Sequence, residues 1–488
     1  MVRTDSHFMK AIFGQTIVKN TLWLASAEGI SRILKLLLFV YMARVLGPGG
    51  YGEFTFALSF AGLFAIFSDF GVSPILTRDF ASEKSLEKMF PHFFSLKILL
   101  GAGGMLFVGL GSFVVTSDPS IRILIILLGA FIVFGAVAET FFAFFRARQK
   151  MKYESFTKIF QALLVTGVGV VVLLYFPSVQ NIALGYLVTS LMTLAAIAIF
   201  FYVKVFAFRF VWNWETWKII LRGSWPIGMM AVFGILYLQV GPVLLGYLGQ
   251  IHQVGWYDAA SRTAFFVLIP VFLLNQSFYP ALSRAFRDSS ASLQVVWNNQ
   301  LAAAIFFSFP AAVFGTVFAS PLIHFLYGST FAPSVLLFQV LMVAVSLLIM
   351  AEPFSQILIA SNLQKKSFMV NAWTAGACIL FNLIGIVAFG VYGAAFAFLG
   401  TVLLLLFSYV GCVLRYTRVQ LFHPKLLSSF GAAVLASFLA YGLLGLFDQA
   451  GLRALFMSVA LFLFYVLLFF LIREAISLLF CKEVISTR

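Results

Sequence analysis

Residues 20–46 read NTLWLASAEGISRILKLLLFVYMARVL, and this stretch decides the fold class. At 1.5 Å per residue a helix of this length reaches about 40 Å, more than the ~30 Å hydrocarbon core of a bilayer. Backbone groups in lipid must bond within their own segment, so a helix is the form such a span takes. Three ionisable residues interrupt it: Glu28, Arg32 and Lys35, spaced four and three apart and therefore on one helix face. Entering at Asn20, Arg32 lies about 18 Å deep, too far for easy snorkelling. A charge there costs about 2.5–3.5 kcal/mol on insertion scales, so it faces a bundle interior or water rather than lipid.

The rest of the chain has the same character. Apolar residues make up 62% of the 488 and charged residues 10%, and the mean hydropathy is +1.04. Soluble domains carry about 25% charged side chains, so water is not the solvent here. With 20–46, five further spans of the same pattern make a first set of six: 51–68, 93–116, 121–145, 153–176 and 179–203. A second set comprises 225–248, 256–282, 297–318, 334–360, 368–389 and 392–414; two more cover 426–447 and 452–472. The expected fold class is all-α and polytopic, with about fourteen transmembrane helices in two six-helix lobes plus two C-terminal helices. The domains are then 1–204, a linker at 205–224, 225–417, and 418–488 with its tail.

Lysine and arginine sort onto one side of these spans. The amino terminus and alternate loops hold Lys10, Lys19, Arg78, Lys84, Lys88, Arg146, Arg148, Lys150, Lys152, Lys204, Arg209 and their later counterparts, whereas the opposite loops hold only Arg122 and Arg453. By the positive-inside rule both termini are cytoplasmic and the helix number is even. The net charge of +15 therefore reflects topology and anionic lipid, not nucleic acid. Cys378, Cys412 and Cys481 show no pair spacing and no histidine neighbours, which argues against a disulfide or structural zinc. The first apolar segment is long and charged, unlike a cleaved signal peptide.

The chain also repeats itself. Leu46-Gly47-Pro48-Gly49-Gly50-Tyr51-Gly52-Glu53, between the first two spans, is echoed by Leu248-Gly249 through Gly255-Trp256-Tyr257-Asp258, between the seventh and eighth. Ala138-Glu139 with the basic turn Arg146–Lys152 is echoed by Ala351-Glu352 with Gln364-Lys365-Lys366. The offsets are about 203 and 213 residues, and six helices separate the copies, which makes the repeat parallel, about an axis along the membrane normal. Phe206–Arg222, aromatic and basic, reads as an interfacial helix between the lobes, and Arg473–Arg488 as a second such segment.

Other charges inside spans admit two readings each. Glu28 and Arg32 either fasten two helices or form, with Lys35, a hydrated cationic wall. Asp258 and Arg262, four apart on the eighth span, are either a wetted intrahelical pair or part of the same lumen. Glu139 and Glu352 occupy corresponding helices near the basic side, as lumen carboxylates or as bonding partners between helices. Lys97 and Lys158 open their spans and can snorkel. The seventh span carries Pro226, Gly234, Gly241 and Pro242, a hinge pattern, since proline removes a backbone bond and kinks a helix. The chain contains no Walker A sequence, no metal spacing among its five histidines, and no kinase partner motif for Asp69-Phe70-Gly71. Enzyme chemistry is not expected, nor a resident cofactor.

Asn20 and Trp23, Ala43-Arg44-Val45-Leu46-Gly47-Pro48, Tyr51-Gly52, Asp69-Phe70-Gly71 and Arg78 together resemble the bacterial polysaccharide biosynthesis flippases, of the multidrug, oligosaccharidyl-lipid and polysaccharide exporter superfamily. The resemblance implies export of an undecaprenyl-diphosphate-linked oligosaccharide across the bacterial cytoplasmic membrane, for O-antigen, capsule or exopolysaccharide. It also implies lumen cations on the first and eighth helices, positions held here by Arg32 and Arg262 with Lys35 beside the first. Glu28, Asp258, Glu139 and Glu352 are the carboxylates available if Na+ or H+ drives the cycle. Implied partners are the lipid-linked substrate, membrane lipids and a polysaccharide polymerase. A cation-coupled multidrug exporter and a membrane polysaccharide ligase or polymerase are the rival functions; the first would favour an acidic lumen and the second a large external loop.

Overall fold

One glycine separates the first two predicted spans. The computed structural model describes residues 4–79, 83–417, 419–420, 428–437, 464–467 and 469. In it α1 (Thr4–Ala65) is a continuous helical path except where Gly47 takes φ 66° and Pro48 follows. Glycine enters the left-handed region without a Cβ penalty, and proline has no N–H for the ladder, so the path bends there. The same device divides the eleventh and twelfth spans inside α13 (Gln364–Tyr416), where Gly390 has φ 57°.

Between these lie α2 (Val72–Asp79), α3 (Glu83–Val115), α4 (Pro119–Ala147), α5 (Met151–Tyr175), α6 (Val179–Lys204), α7 (Trp214–Tyr247), α8 (Ile251–Phe265), α9 (Leu268–Asp288), α10 (Ser290–Val317), α11 (Ala319–Tyr327) and α12 (Ser334–Ala360). Each of the first twelve predicted spans falls on helix. Eight helices among the described residues are long and apolar enough to cross a membrane, or nine when one bent pair is joined. The protein is thus an all-α, multi-pass membrane protein. The thirteenth and fourteenth predicted spans and the segment Arg473–Arg488 lie largely outside the described residues; within them 428–437 is helical.

The chain divides into two compact units, Met1–Gly255 and Trp256–Arg488. In the first, α1 packs on α4, α5 and α7, and α4 on α3 and α6. At one end Phe90, Phe141, Phe144 and Phe201 are fully buried in a phenylalanine cluster, with centroid separations such as 4.7 Å for Phe90–Phe201 and 4.8 Å for Phe144–Phe201. Lipid tails are as apolar as these rings, so close packing rather than exclusion of water holds them, at about 0.5–1.5 kcal/mol per aromatic pair.

That cluster explains a departure from expectation. The segment expected to be an interfacial helix from Phe206 is not helical before Trp214. Phe208 packs on Phe94 at 4.7 Å, the Val211 N–H donates to Ser95 Oγ at 2.8 Å, and the Asn213 side chain caps the next helix through the Thr216 N–H at 3.0 Å. Residues 206–213 are therefore held down on α3, and Trp214–Arg222 form the first turns of α7 itself. A second departure is in the eighth span, which breaks between α8 and α9. Pro270 lacks the N–H that would bond the Phe266 carbonyl, so the ladder cannot run through.

In the second unit α12 packs on α9, α10, α11 and α13. Trp297 is fully buried against Phe354 at 5.6 Å, and Tyr465 and Phe469 pack on Phe306 at 5.6 and 4.8 Å.

The echoed glycine turns meet within the first unit. A Cβ on Gly52 would lie 2.1 Å from the Ile251 carbonyl oxygen, and one on Gly255 would lie 2.3 Å from that of Pro48. Gly52 and Gly255 are 203 positions apart, as are Pro48 and Ile251, so the contact is reciprocal in the register of the repeat. Gly52→Ala is expected to lower stability by about 1–3 kcal/mol, because backbone must move to admit the methyl group. Gly62→Ala, with nothing within 4 Å of its Cβ position, is the control. Thermal melts of detergent-purified protein should show a lower midpoint for the first variant only.

Candidate functional site

The charged face of α1 is built from helix geometry. Glu28, Arg32 and Lys35 share one side, while Ile30, Ile33 and Leu37, all exposed, lie on the opposite side at 100° per residue. Ala27, Ser31 and Leu38 form the buried seam between, with Leu38 against Gly169 of α5. The polar face is thus turned away from the apolar one that suits lipid. Arg32 Nε donates to Glu28 Oε1 at 2.8 Å, and the two side chains remain 42% and 38% exposed, so this pair is not buried within the helix packing. Lys35 is exposed on the same face.

The pair is one end of a longer array. Glu28 Oε2 lies 3.9 Å from Lys158 Nζ on α5, and Lys158 Nζ lies 2.9 Å from Glu154 Oε1. Glu154 is buried, its Oε2 3.1 Å from Arg146 Nε, and Arg146 also donates to Glu139 on α4. Arg32, Lys158 and Arg146 therefore alternate with Glu28, Glu154 and Glu139 across three helices. Lys158, expected to snorkel, instead links α1 to α5, and Glu139 is a bonded partner of Arg146. The sequence signal was present in the i,i+4 pair Glu154–Lys158, but its join to Glu28 is tertiary.

Lys97 departs further from expectation. Its side chain is fully buried and donates to Asp69, whose Oδ1 also accepts from Ser73 Oγ at 2.5 Å. A lysine that finds a carboxylate at its own depth has no need of the interface. The turn is fixed by Phe70 at φ 42° and Gly71 at φ 77°. A Cβ on Gly71 would lie 2.7 Å from the Gly228 nitrogen of α7, so Asp69-Phe70-Gly71 is a packing motif against that helix.

In the second unit Arg262 Nε donates to Asp258 Oδ2 at 2.5 Å on α8, the carboxylate buried and the guanidinium partly exposed. Beside them Thr263 Oγ1 and Tyr327 OH are 3.0 Å apart. Glu352, on α12, lies in different company from Glu139. With Asn275, Tyr279 and Gln356 it lines a cavity of about 450 Å3 between α9 and α12, and no cation is bonded to it among the described residues. The buried Gln300 donates to both Asn275 and Gln356, at 3.1 and 2.8 Å, leaving its own carbonyl oxygen without a partner. Pro226, Gly234, Gly241 and Pro242 sit within an unbroken α7, with Gly241 and Pro242 buried and the other two exposed. Among the described residues no group of three or more His, Cys, Asp or Glu side chains is placed to hold a metal.

A family model described as polysaccharide biosynthesis protein matches residues 17–286, more than half of the chain. A structure of lipid II flippase MurJ in an inward closed conformation superposes with a TM-score of 0.72 at 18% identity, covering 95% of this chain and 99% of that one. An inward-facing multidrug resistance MATE family transporter of the MOP superfamily gives 0.66 at 15% identity, over 79% of this chain and 94% of its own. A MOP superfamily transporter from Pyrococcus furiosus gives 0.54 at 14%, over 82% and 94%. A search of curated proteins found no match. The fold is that of MurJ and the MATE transporters, and the chain belongs to the polysaccharide biosynthesis protein family.

Proposed function

We propose that this protein is an alternating-access flippase that turns an undecaprenyl-diphosphate-linked oligosaccharide from the cytoplasmic to the external leaflet of a bacterial cytoplasmic membrane. Arg32, Lys35 and Arg262 bind the diphosphate head, and both termini are cytoplasmic. The observation that carries the reading is the α1 face: part-exposed cations on one side of a helix long enough to span the bilayer, with exposed apolar side chains on the opposite side. Arginine's planar fork suits phosphate oxygens, and the lipid tail can stay in the bilayer while only the head crosses. An inside-negative potential assists outward movement of a dianion by about 4.6 kcal/mol per 100 mV. As access alternates, α7 bends at Pro226, Gly234, Gly241 and Pro242. The released repeat unit is substrate for a polysaccharide polymerase.

An exporter of organic cations would be poorly served by a first helix that nets positive. The discriminating experiment is complementation: in a strain lacking other flippases, the wild-type protein should restore surface polymer without conferring resistance to cationic drugs. Drug resistance without polymer would reverse the assignment.

For coupling, we propose Glu352 over Glu28, Asp258 and Glu139. Those three already hold a bonded cation, whereas Glu352 shares a largely apolar cavity with Asn275, Tyr279 and Gln356 and has no bonded cation among the described residues, so its carboxylate is the one available to exchange a proton or Na+. Glu352→Gln is expected to leave substrate binding intact and remove the response of transport to imposed pH or Na+ gradients in proteoliposomes. An unchanged gradient response would exclude Glu352.

A further inference from the structure

We infer that Glu28 is an internal stand-in for the substrate's phosphate, holding Arg32 while the site is empty and passing to Lys158 when a diphosphate arrives. The inference rests on the reading above that Arg32 binds the head group.

The geometry is that of one carboxylate between two cations, held by one and within reach of the other. Glu28 Oε1 is bonded to Arg32 at 2.8 Å, while Oε2 stands 3.9 Å from Lys158 Nζ. An approach of about 1 Å would bring the second contact to the ~2.8 Å of a charge-assisted bond. Lys158 is held where it can receive that oxygen, because buried Glu154 anchors its ammonium at 2.9 Å and the Phe142 ring lies 5.9 Å away. Glu154 is fixed in turn by Arg146, which Glu139 also holds. Lys35 also acts on Glu28, so four cations face three carboxylates in the empty state. A phosphate that takes Arg32 displaces a carboxylate, and a displaced carboxylate at this depth needs a cation at once. Lys158 supplies it without any helix having to move.

The exchange also provides for release. When Glu28 returns to Arg32 it competes with the phosphate, so the site does not retain its product. Glu28 is accordingly a positioning residue that acts through Arg32, and Lys158 acts through Glu28. The signature of such a chain is epistasis, which a merely structural role for either residue would not give.

The test uses full-length protein in lipid nanodiscs, with undecaprenyl diphosphate as the probe and undecaprenol as the unphosphorylated control. Glu28→Gln should bind the diphosphate about tenfold more tightly, as expected if Arg32 is free of its carboxylate in roughly a tenth of wild-type molecules, and should export more slowly. Lys158→Met should bind about tenfold more weakly, since Glu28 then loses its receiving cation on α5 and keeps only Lys35 on its own helix. The double variant Glu28→Gln/Lys158→Met should bind as tightly as Glu28→Gln alone. Unchanged or weaker binding by Glu28→Gln, or a Lys158→Met defect that persists in the Glu28→Gln background, overturns the hand-off. Arg32→Gln separates the two ideas. If it abolishes diphosphate binding while Glu28→Gln fails to tighten it, the hand-off alone falls; if it leaves binding unchanged, the head-group assignment falls with it.

Discussion

Asp69→Ala is expected to prevent most of the protein from reaching its folded state. The substitution strands the ammonium of Lys97, a side chain with no exposure at all, away from its carboxylate. Removing one partner of a buried pair costs about 3–5 kcal/mol, a large part of a typical protein's stability. The reverse change should be milder. Lys97→Met leaves Asp69 about a third exposed and still bonded to Ser73 through both its hydroxyl and its backbone N–H. The double variant Asp69→Ala/Lys97→Met should recover much of the loss, because no charge is then left without its partner. Size-exclusion chromatography and thermal melts of the three variants in detergent give the ordering directly. Equal behaviour of Asp69→Ala and Lys97→Met would show that water reaches Lys97.

The second large effect falls on transport. Arg32→Gln and Arg262→Gln should each weaken head-group binding by roughly 10- to 150-fold, the equivalent of about 1.5–3 kcal/mol per lost charge-assisted contact. The two differ in their structural cost. Glu28 keeps Lys158 nearby after Arg32→Gln, whereas Arg262→Gln leaves Asp258 buried on α8 without its guanidinium. Arg262→Gln/Asp258→Asn is therefore the cleaner variant for binding, and its melting midpoint should lie above that of Arg262→Gln. Arg32→Lys should restore only part of the affinity, since an ammonium cannot present a planar fork to two phosphate oxygens.

The first twelve spans were legible because hydropathy over about twenty residues registers a property that every residue in lipid must share. Gly47-Pro48 and Gly390 were legible as span boundaries for a local reason, a backbone conformation that few other residues adopt. What the chain concealed was tertiary. Phe206–Asn213 has the composition of an interfacial helix, yet the phenylalanine cluster and the Ser95 hydroxyl hold it out of helical form until Asn213 supplies a cap. Lys97 at the start of a span looks like a snorkelling lysine until Asp69 is placed beside it. Glu154–Lys158 is visible as an i,i+4 pair, but nothing local says that Glu28 lies within reach. The cavity at Glu352 is assembled from two helices, with the amides Asn275 and Gln356 in its lining, and amides carry no spacing rule of their own.

We propose that cations on α1 and α8 carry a diphosphate-bearing lipid across the bilayer. The most direct test is translocation of undecaprenyl-diphosphate-linked oligosaccharide in proteoliposomes, read by the access of an external glycosidase to the sugar. Wild-type protein should expose the sugar well above the rate of protein-free liposomes, and Arg32→Gln/Arg262→Gln/Asp258→Asn, folded and reconstituted to the same level, should fall to that background rate. Translocation by this variant at the wild-type rate would contradict this role of the cations.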